Sequence, residues 1–132
     1  MKIVADTNVL LRYMVDDDPV QYRLALEILE QAEAVVVSNV AICEFAWVLR
    51  TRYGVSRKNI AAAIARLRET WNIVLDGPAV DAGLSMLEAG ADFADGVIAH
   101  EGAWLGGETF VSFDKKAVSA IAKQGLQTKL LL

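Results

Sequence analysis

Lys2-Ile3-Val4-Ala5-Asp6-Thr7-Asn8-Val9-Leu10-Leu11-Arg12 decides the fold. Lys2 to Ala5 predicts a short β-strand. The strand stops at Asp6, and Thr7-Asn8 starts a helix that runs through Val9, Leu10 and Leu11. An open α/β sheet presents functional groups in this way, because its ligands sit just beyond the carboxyl ends of the strands. Asp6 stands at that edge. Taken alone, it reads more readily as a turn residue capping the next helix.

The remaining chain repeats the alternation. Asp16-Asp17-Asp18-Pro19 is a loop and helix start, with Asp18 as N-cap and Pro19 at the first helical position. It lacks the spacing and glycine of an EF-hand loop. A helix is predicted over 20–33, with Leu24, Ile28 and Leu29 on its inner face. A strand follows over 34–37. Asn39 is the expected cap of a helix from Val40 to Tyr53, closed by Gly54. Ser56 caps a helix over 57–69 that turns Ile60, Ile64 and Leu67 inward. Short strands are expected at 73–75, 109–113 and 128–132, and helices at 79–88, 92–105 and 115–123. Strands alternating with helices imply a parallel sheet with right-handed crossovers.

The chain has 132 residues, 55% of them hydrophobic. That suits one domain whose sheet is covered by helices on both faces and excludes a disordered chain. The formal charge is −4, from 13 basic and 17 acidic residues. This balance speaks mildly against a nucleic-acid binder, unless several acids hold divalent cations that reverse the local field. Cys43 is the single cysteine, which fits a reducing compartment. No apolar run reaches the ~20 residues of a membrane span, and Asp6 and Arg12 interrupt any signal-peptide pattern. The expectation is a cytoplasmic protein.

The acids carry the chemistry. Glu44 is the one charge in Val40-Ala41-Ile42-Cys43-Glu44-Phe45-Ala46-Trp47-Val48-Leu49. A helix apolar all round is normally buried, and a buried carboxylate needs a partner. Either an arginine such as Arg50 or Arg12 supplies it, or a bound cation does. Asp92 and Asp95 lie three apart on one helix face; as cap and first-turn acid they also resemble a capping box. Asp114 follows the apolar strand Thr109-Phe110-Val111-Ser112-Phe113 and repeats the geometry of Asp6. Carboxylates brought together raise one another's pKa values unless cations sit among them. All-oxygen ligands select Mg²⁺ or Mn²⁺.

The ordered set of Asp6-Thr7-Asn8-Val9-Leu10-Leu11, Glu44, Asp92-Phe93-Ala94-Asp95-Gly96-Val97-Ile98-Ala99 and Ser112-Phe113-Asp114 resembles the PIN-domain ribonucleases. It resembles most of all the VapC-type toxins of prokaryotic toxin–antitoxin pairs. The resemblance covers essentially the whole chain. It implies a three-layer α/β/α fold with a central parallel sheet of four to five strands. It also implies RNA phosphodiester cleavage with one or two Mg²⁺ or Mn²⁺ ions, a homodimer, and inhibition by a cognate antitoxin. By position, Asp6, Glu44, Asp95 and Asp114 match the family's acidic residues. Asn8 and Ser112 match supporting polar positions, and Asp92 a position that is often acidic. Many relatives have Thr at position 112 and Ala at position 96, where this chain has Ser and Gly.

The expected reaction is metal-assisted hydrolysis without a side-chain nucleophile. The single histidine, His100, falls on a different helix face from Asp95 and reads as an ordinary packed or surface residue. Among the cations, Lys115 and Lys116, directly after Asp114, and then Arg12 are the candidates to meet an RNA phosphate. Tyr13, Trp47, Trp71 and Trp104 read as core or interface. Competing readings are a Mg²⁺-dependent phosphatase or phosphotransfer domain with Asp76 as nucleophile, and a non-catalytic interaction module. A dinucleotide binder is discounted, since the first βα turn has no Gly-x-Gly-x-x-Gly.

Overall fold

The computed structural model describes residues Met1–Leu132. Its chain falls into two units, Met1–Asp76 and Gly77–Leu132.

The first unit runs β1 (Lys2–Val4), α1 (Thr7–Met14), α2 (Pro19–Gln31), β2 (Ala34–Val36), α3 (Asn39–Thr51), α4 (Arg57–Glu69) and β3 (Ile73–Val74). The strands form a parallel sheet in the order β1-β2-β3. Val4 pairs with Val36, and Val36 with Val74. Asp6, Ser38 and Asp76 therefore each lie two residues beyond one register row, at the carboxyl edge of the sheet. In this unit Leu10, Leu11, Leu29, Val35, Ile42, Phe45, Ile60, Ile64 and Leu67 are buried. Asn72 is a buried polar residue with its needs met: Nδ2 donates to the carbonyls of Leu29 and Ala32 at 2.8 and 3.0 Å. It thereby fastens the end of α2 to the start of β3.

Caps follow local chemistry. Asp18 accepts from the Gln21 N–H at 3.1 Å, and Ser56 from the Asn59 N–H at 3.2 Å. At α3 the cap is Ser38, which accepts from the Ala41 N–H at 3.1 Å, and not the expected Asn39. Either side chain suits the position; the helix starts one residue earlier, so Asn39 falls inside it. Gly54 closes the segment with φ +64°, which favours glycine. The inner face of α2 also differs from expectation. Leu24 is 60% exposed, and Ala25 and Leu29 are the buried residues. Leu24 instead lines an open apolar groove with Val9, Ala25 and Ile28.

The second unit runs α5 (Gly77–Glu88), α6 (Phe93–Trp104), β4 (Thr109–Ser112), α7 (Lys115–Lys123) and β5 (Gln127–Leu130). β4 and β5 pair in parallel, Thr109 with Gln127 through Ser112 with Leu130. Met86, Ala91, Ala117, Ala120 and Ile121 form the core, with Ala99 and Phe110 against it. α5 begins at Gly77, earlier than expected, because Pro78 is tolerated in a first turn whose N–H groups have no helical acceptor. Leu131 donates to the Ser112 carbonyl at 2.8 Å, while Leu132 is fully exposed.

Within each unit the paired strands are parallel, and the α/β class is as expected. The expected single sheet of four to five strands is corrected to a three-stranded and a two-stranded sheet. Each ladder joins strands that are consecutive in the chain and linked by one or two helices, the pairings with the shortest loops to close. No helix is long and apolar enough to cross a membrane.

Candidate metal centre

In the first unit, Asp6 caps α1 from the end of β1. Its Oδ1 accepts from the Thr7 N–H at 2.7 Å, and its side chain is exposed. Glu44 lies in α3, between the buried Ala41 and Phe45 on neighbouring turns. Glu44 itself is exposed, as are Val40 and Trp47 on the same side of the helix. The expectation of a buried Glu44 is thus corrected. An apolar sequence surrounds the carboxylate, but the face that carries it is open, so no desolvation cost demands a counter-charge. Nor does Arg12 serve as one. Arg12 Nη1 pairs with Asp17 Oδ1 at 2.8 Å, and its Nε donates to Gln21 Oε1 at 2.6 Å. Glu44 Oε1 instead accepts from the hydroxyl of Thr7 at 2.6 Å.

Thr7 is the residue that sequence reasoning missed. The signal was present: Thr7, Leu10 and Leu11 follow i, i+3, i+4 spacing and are the buried residues of α1. A hydroxyl on the core face of a helix must find an acceptor.

Arg12, expected to face a phosphate, is engaged at the surface by side chains of the protein itself. Asp17 bonds both Arg12 and the Tyr53 hydroxyl, the latter at 3.0 Å. Burial raises the Asp17 carboxyl, but the hydrogen bonds from Tyr53 and Arg12 outweigh it and leave it below the usual range. Asn8 is exposed on α1 and borders the open groove along α2. Asp76 is exposed beyond β3, where Oδ2 accepts from Asn39 Nδ2 at 3.3 Å.

In the second unit, three acids influence one another. Asp95 sits half-buried in the first turn of α6. Burial, then Asp92, then Asp114 each raise its carboxyl above the usual carboxylate range. Asp92 is the N-cap of α6 by backbone geometry but makes no side-chain capping bond, so the capping-box reading does not account for it. Asp114 caps α7, with Oδ1 accepting from the N–H groups of Lys116 and Ala117 at 2.9 and 3.2 Å. Ser112 Oγ accepts from the Asp114 N–H at 3.0 Å and steadies the strand-to-helix turn. Lys115 and Lys116 are exposed beside it. His100 is half-buried later in α6. Trp47, Trp71 and Trp104, expected in the core or at an interface, are 60, 81 and 86% exposed, which removes the core alternative.

The two units thus hold separate acidic groups, Asp6 and Glu44 in one and Asp92, Asp95 and Asp114 in the other. No three His, Cys, Asp or Glu side chains gather closely enough to hold an ion as they stand. The chemistry of the donors nevertheless fits a hard divalent cation. Every candidate offers carboxylate oxygen, and the like-charge crowding on Asp95 is what such a cation relieves.

No curated protein matches the chain. The family model of the PIN domain matches residues 3–123, a stretch that includes Asp6, Glu44, Asp92, Asp95 and Asp114 and draws on both units. PIN domains are generally metal-dependent nucleases, which favours nucleic-acid hydrolysis over phosphotransfer through Asp76, and this chain belongs to the PIN domain family.

Proposed function

We propose that the protein is a metal-dependent endoribonuclease that hydrolyses RNA phosphodiester bonds and acts in the cytoplasm as the toxin of a type II toxin–antitoxin pair. In this reading Asp6, Glu44, Asp95 and Asp114 hold Mg²⁺ or Mn²⁺, one or two ions. Asn8, Ser112 and Asp92 support them. The observation that carries the reading is Asp95: a carboxylate kept half-buried beside two further acids, in a family whose members work with divalent metal. A fold retains such an arrangement at a cost, and a ligand role accounts for it.

The roles of the chain's own residues follow from their settings. Asp114 is fixed at a strand end by two main-chain donors and by Ser112. Lys115 and Lys116 project from the first turn of α7, where cations can meet a phosphodiester. Arg12 is the third candidate cation, and its pairing with Asp17 already engages part of its guanidinium. A divalent ion, when bound, lowers the pKa of water and stabilises the charge that develops on the leaving oxygen. The exposed Trp47, Trp71, Trp104 and Leu105 leave apolar surface for a homodimer and for an antitoxin.

The test is cleavage of a structured RNA by the full chain with Mg²⁺ or Mn²⁺, with and without chelator, alongside Asp6→Ala and Asp95→Ala. Metal-dependent cutting by wild type that both variants lose supports the nuclease. Cutting that survives chelation, or that both variants retain, refutes it. Co-expression with the product of a neighbouring small reading frame tests the antitoxin: suppressed cutting and a shared elution peak are expected.

A further inference from the structure

Thr7 touches both candidate ligands of the first unit, Asp6 and Glu44. Its main-chain N–H donates to Asp6 Oδ1 at 2.7 Å, and its hydroxyl donates to Glu44 Oε1 at 2.6 Å. Thr7 is only 5% exposed, while both acids are exposed. A rigid, buried anchor therefore carries two solvent-facing carboxylates. The hydroxyl has a single proton to give. Its two acceptors are Glu44 Oε1 and the Ala41 carbonyl, the latter at 3.5 Å. The shorter, charge-assisted bond to Glu44 is the stronger.

Two consequences follow. An exposed glutamate otherwise samples several rotamers, and ordering it on ligand binding costs entropy; the bond to Thr7 meets that cost in advance. Each carboxylate also commits one oxygen to Thr7 and leaves its other oxygen for a cation. Because both bonds end on one residue, Thr7 fixes the separation of the two acids.

We infer that Thr7 is the positioning residue of the metal centre, setting Asp6 and Glu44 in register before any cation arrives. This rests on the reading of those acids as metal ligands. The alternative is a staple between α1 and α3 that matters for stability alone. Thr7→Val removes the hydroxyl and keeps the β-branched shape; Thr7→Ser keeps the hydroxyl.

The experiment measures Mn²⁺ binding to the full chain by electron paramagnetic resonance for wild type and both variants, with thermal melts of each. Metal-free NMR couplings report the Glu44 side-chain rotamer. Thr7→Val is expected to lose ten- to a hundredfold in Mn²⁺ affinity, the usual effect of deleting a partner of a metal ligand, and to free the Glu44 rotamer. Thr7→Ser is expected to stay close to wild type in both. If Thr7→Val binds as wild type does, or Thr7→Ser is as weak as Thr7→Val, the positioning role is overturned and the nuclease reading stands. If wild type binds no Mn²⁺, the ligand assignment falls and the inference with it. Should Thr7→Val fail to fold, the wild-type couplings decide, since a Glu44 averaging over rotamers overturns the role.

Discussion

Gly96→Ala measures how closely α6 lies on α5, and so how firmly Asp95 is held. A Cβ at Gly96 would overlap the carbonyl oxygen of Ala82, lie 2.6 Å from its carbonyl carbon and 2.7 Å from Met86 Cγ. The Met86 side chain can move, but the Ala82 carbonyl is helix backbone. At Gly83, in turn, a Cβ would meet the Phe93 ring, 2.6 Å from Cζ. The two helices thus approach through glycine on both sides. Alanine at position 96 gains about 1 kcal/mol in helix propensity. Forcing a methyl group into a filled contact costs roughly 1–3 kcal/mol where side chains can adapt, and the upper end applies when backbone must move. The expected net loss is about 1–2 kcal/mol. At roughly 2.1 cal/mol/K per residue, the 132 residues give an unfolding entropy near 0.28 kcal/mol/K. The melting temperature should therefore fall by about 4–7 °C. The assay is thermal unfolding by circular dichroism in chelator, with Mn²⁺ affinity measured on the same samples. Affinity should fall as well, because Asp95 is the residue before the displaced one. A melting temperature equal to or above that of wild type would refute the reasoning: helix propensity would have won, and the two helices would not be in close contact.

Asp95→Asn, studied in chelator, should gain stability over wild type as pH rises. The folded-state pKa of Asp95 is raised, so its penalty is absent below the ordinary carboxyl value, grows through the interval above it, and is complete above the folded pKa; denaturant midpoints whose difference does not change with pH would count against it. Replacing Lys115 and Lys116 with Ala should flatten the salt dependence of RNA binding. On a single strand the log–log slope should fall by about 0.7 for each phosphate the lysines no longer neutralise. An unchanged slope, measured by fluorescence anisotropy, would remove these lysines from the interface.

Most of the fold was legible because local chemistry and global packing agreed. Ser56 before Ile60, Ile64 and Leu67 specifies α4 residue for residue, and all three apolar side chains are buried. α2 shows where the pattern is degenerate. Leu24 and Ala25 are adjacent, and periodicity does not say which of them turns inward; the smaller alanine does, and Leu24 stays exposed. Strand pairing was the least legible feature. Period and composition find a strand, but the ladder is a tertiary property, so three short strands in one unit and two in the other close separate sheets.

The candidate site was legible in its acids and illegible in what holds them. Strand-then-Asp predicts Asp6 and Asp114 at their turns, because an acidic cap at the end of a strand is a local matter. Glu44 depended on a tertiary inference, that apolar neighbours imply burial, and this is where the reasoning failed. The failure changes the kind of argument that supports a ligand role. A buried, uncompensated carboxylate would compel a counter-charge through its desolvation cost; an exposed one compels nothing. What makes Glu44 more than a surface glutamate is its 2.6 Å bond from a buried hydroxyl next to Asp6. At Asp95 burial and two like charges act together to raise the carboxyl above its usual range. At Asp6 and Glu44 the structure offers pre-set geometry instead. Asp95→Asn and Thr7→Val should therefore weaken metal binding for different reasons, and only the first should also shift the pH dependence of stability.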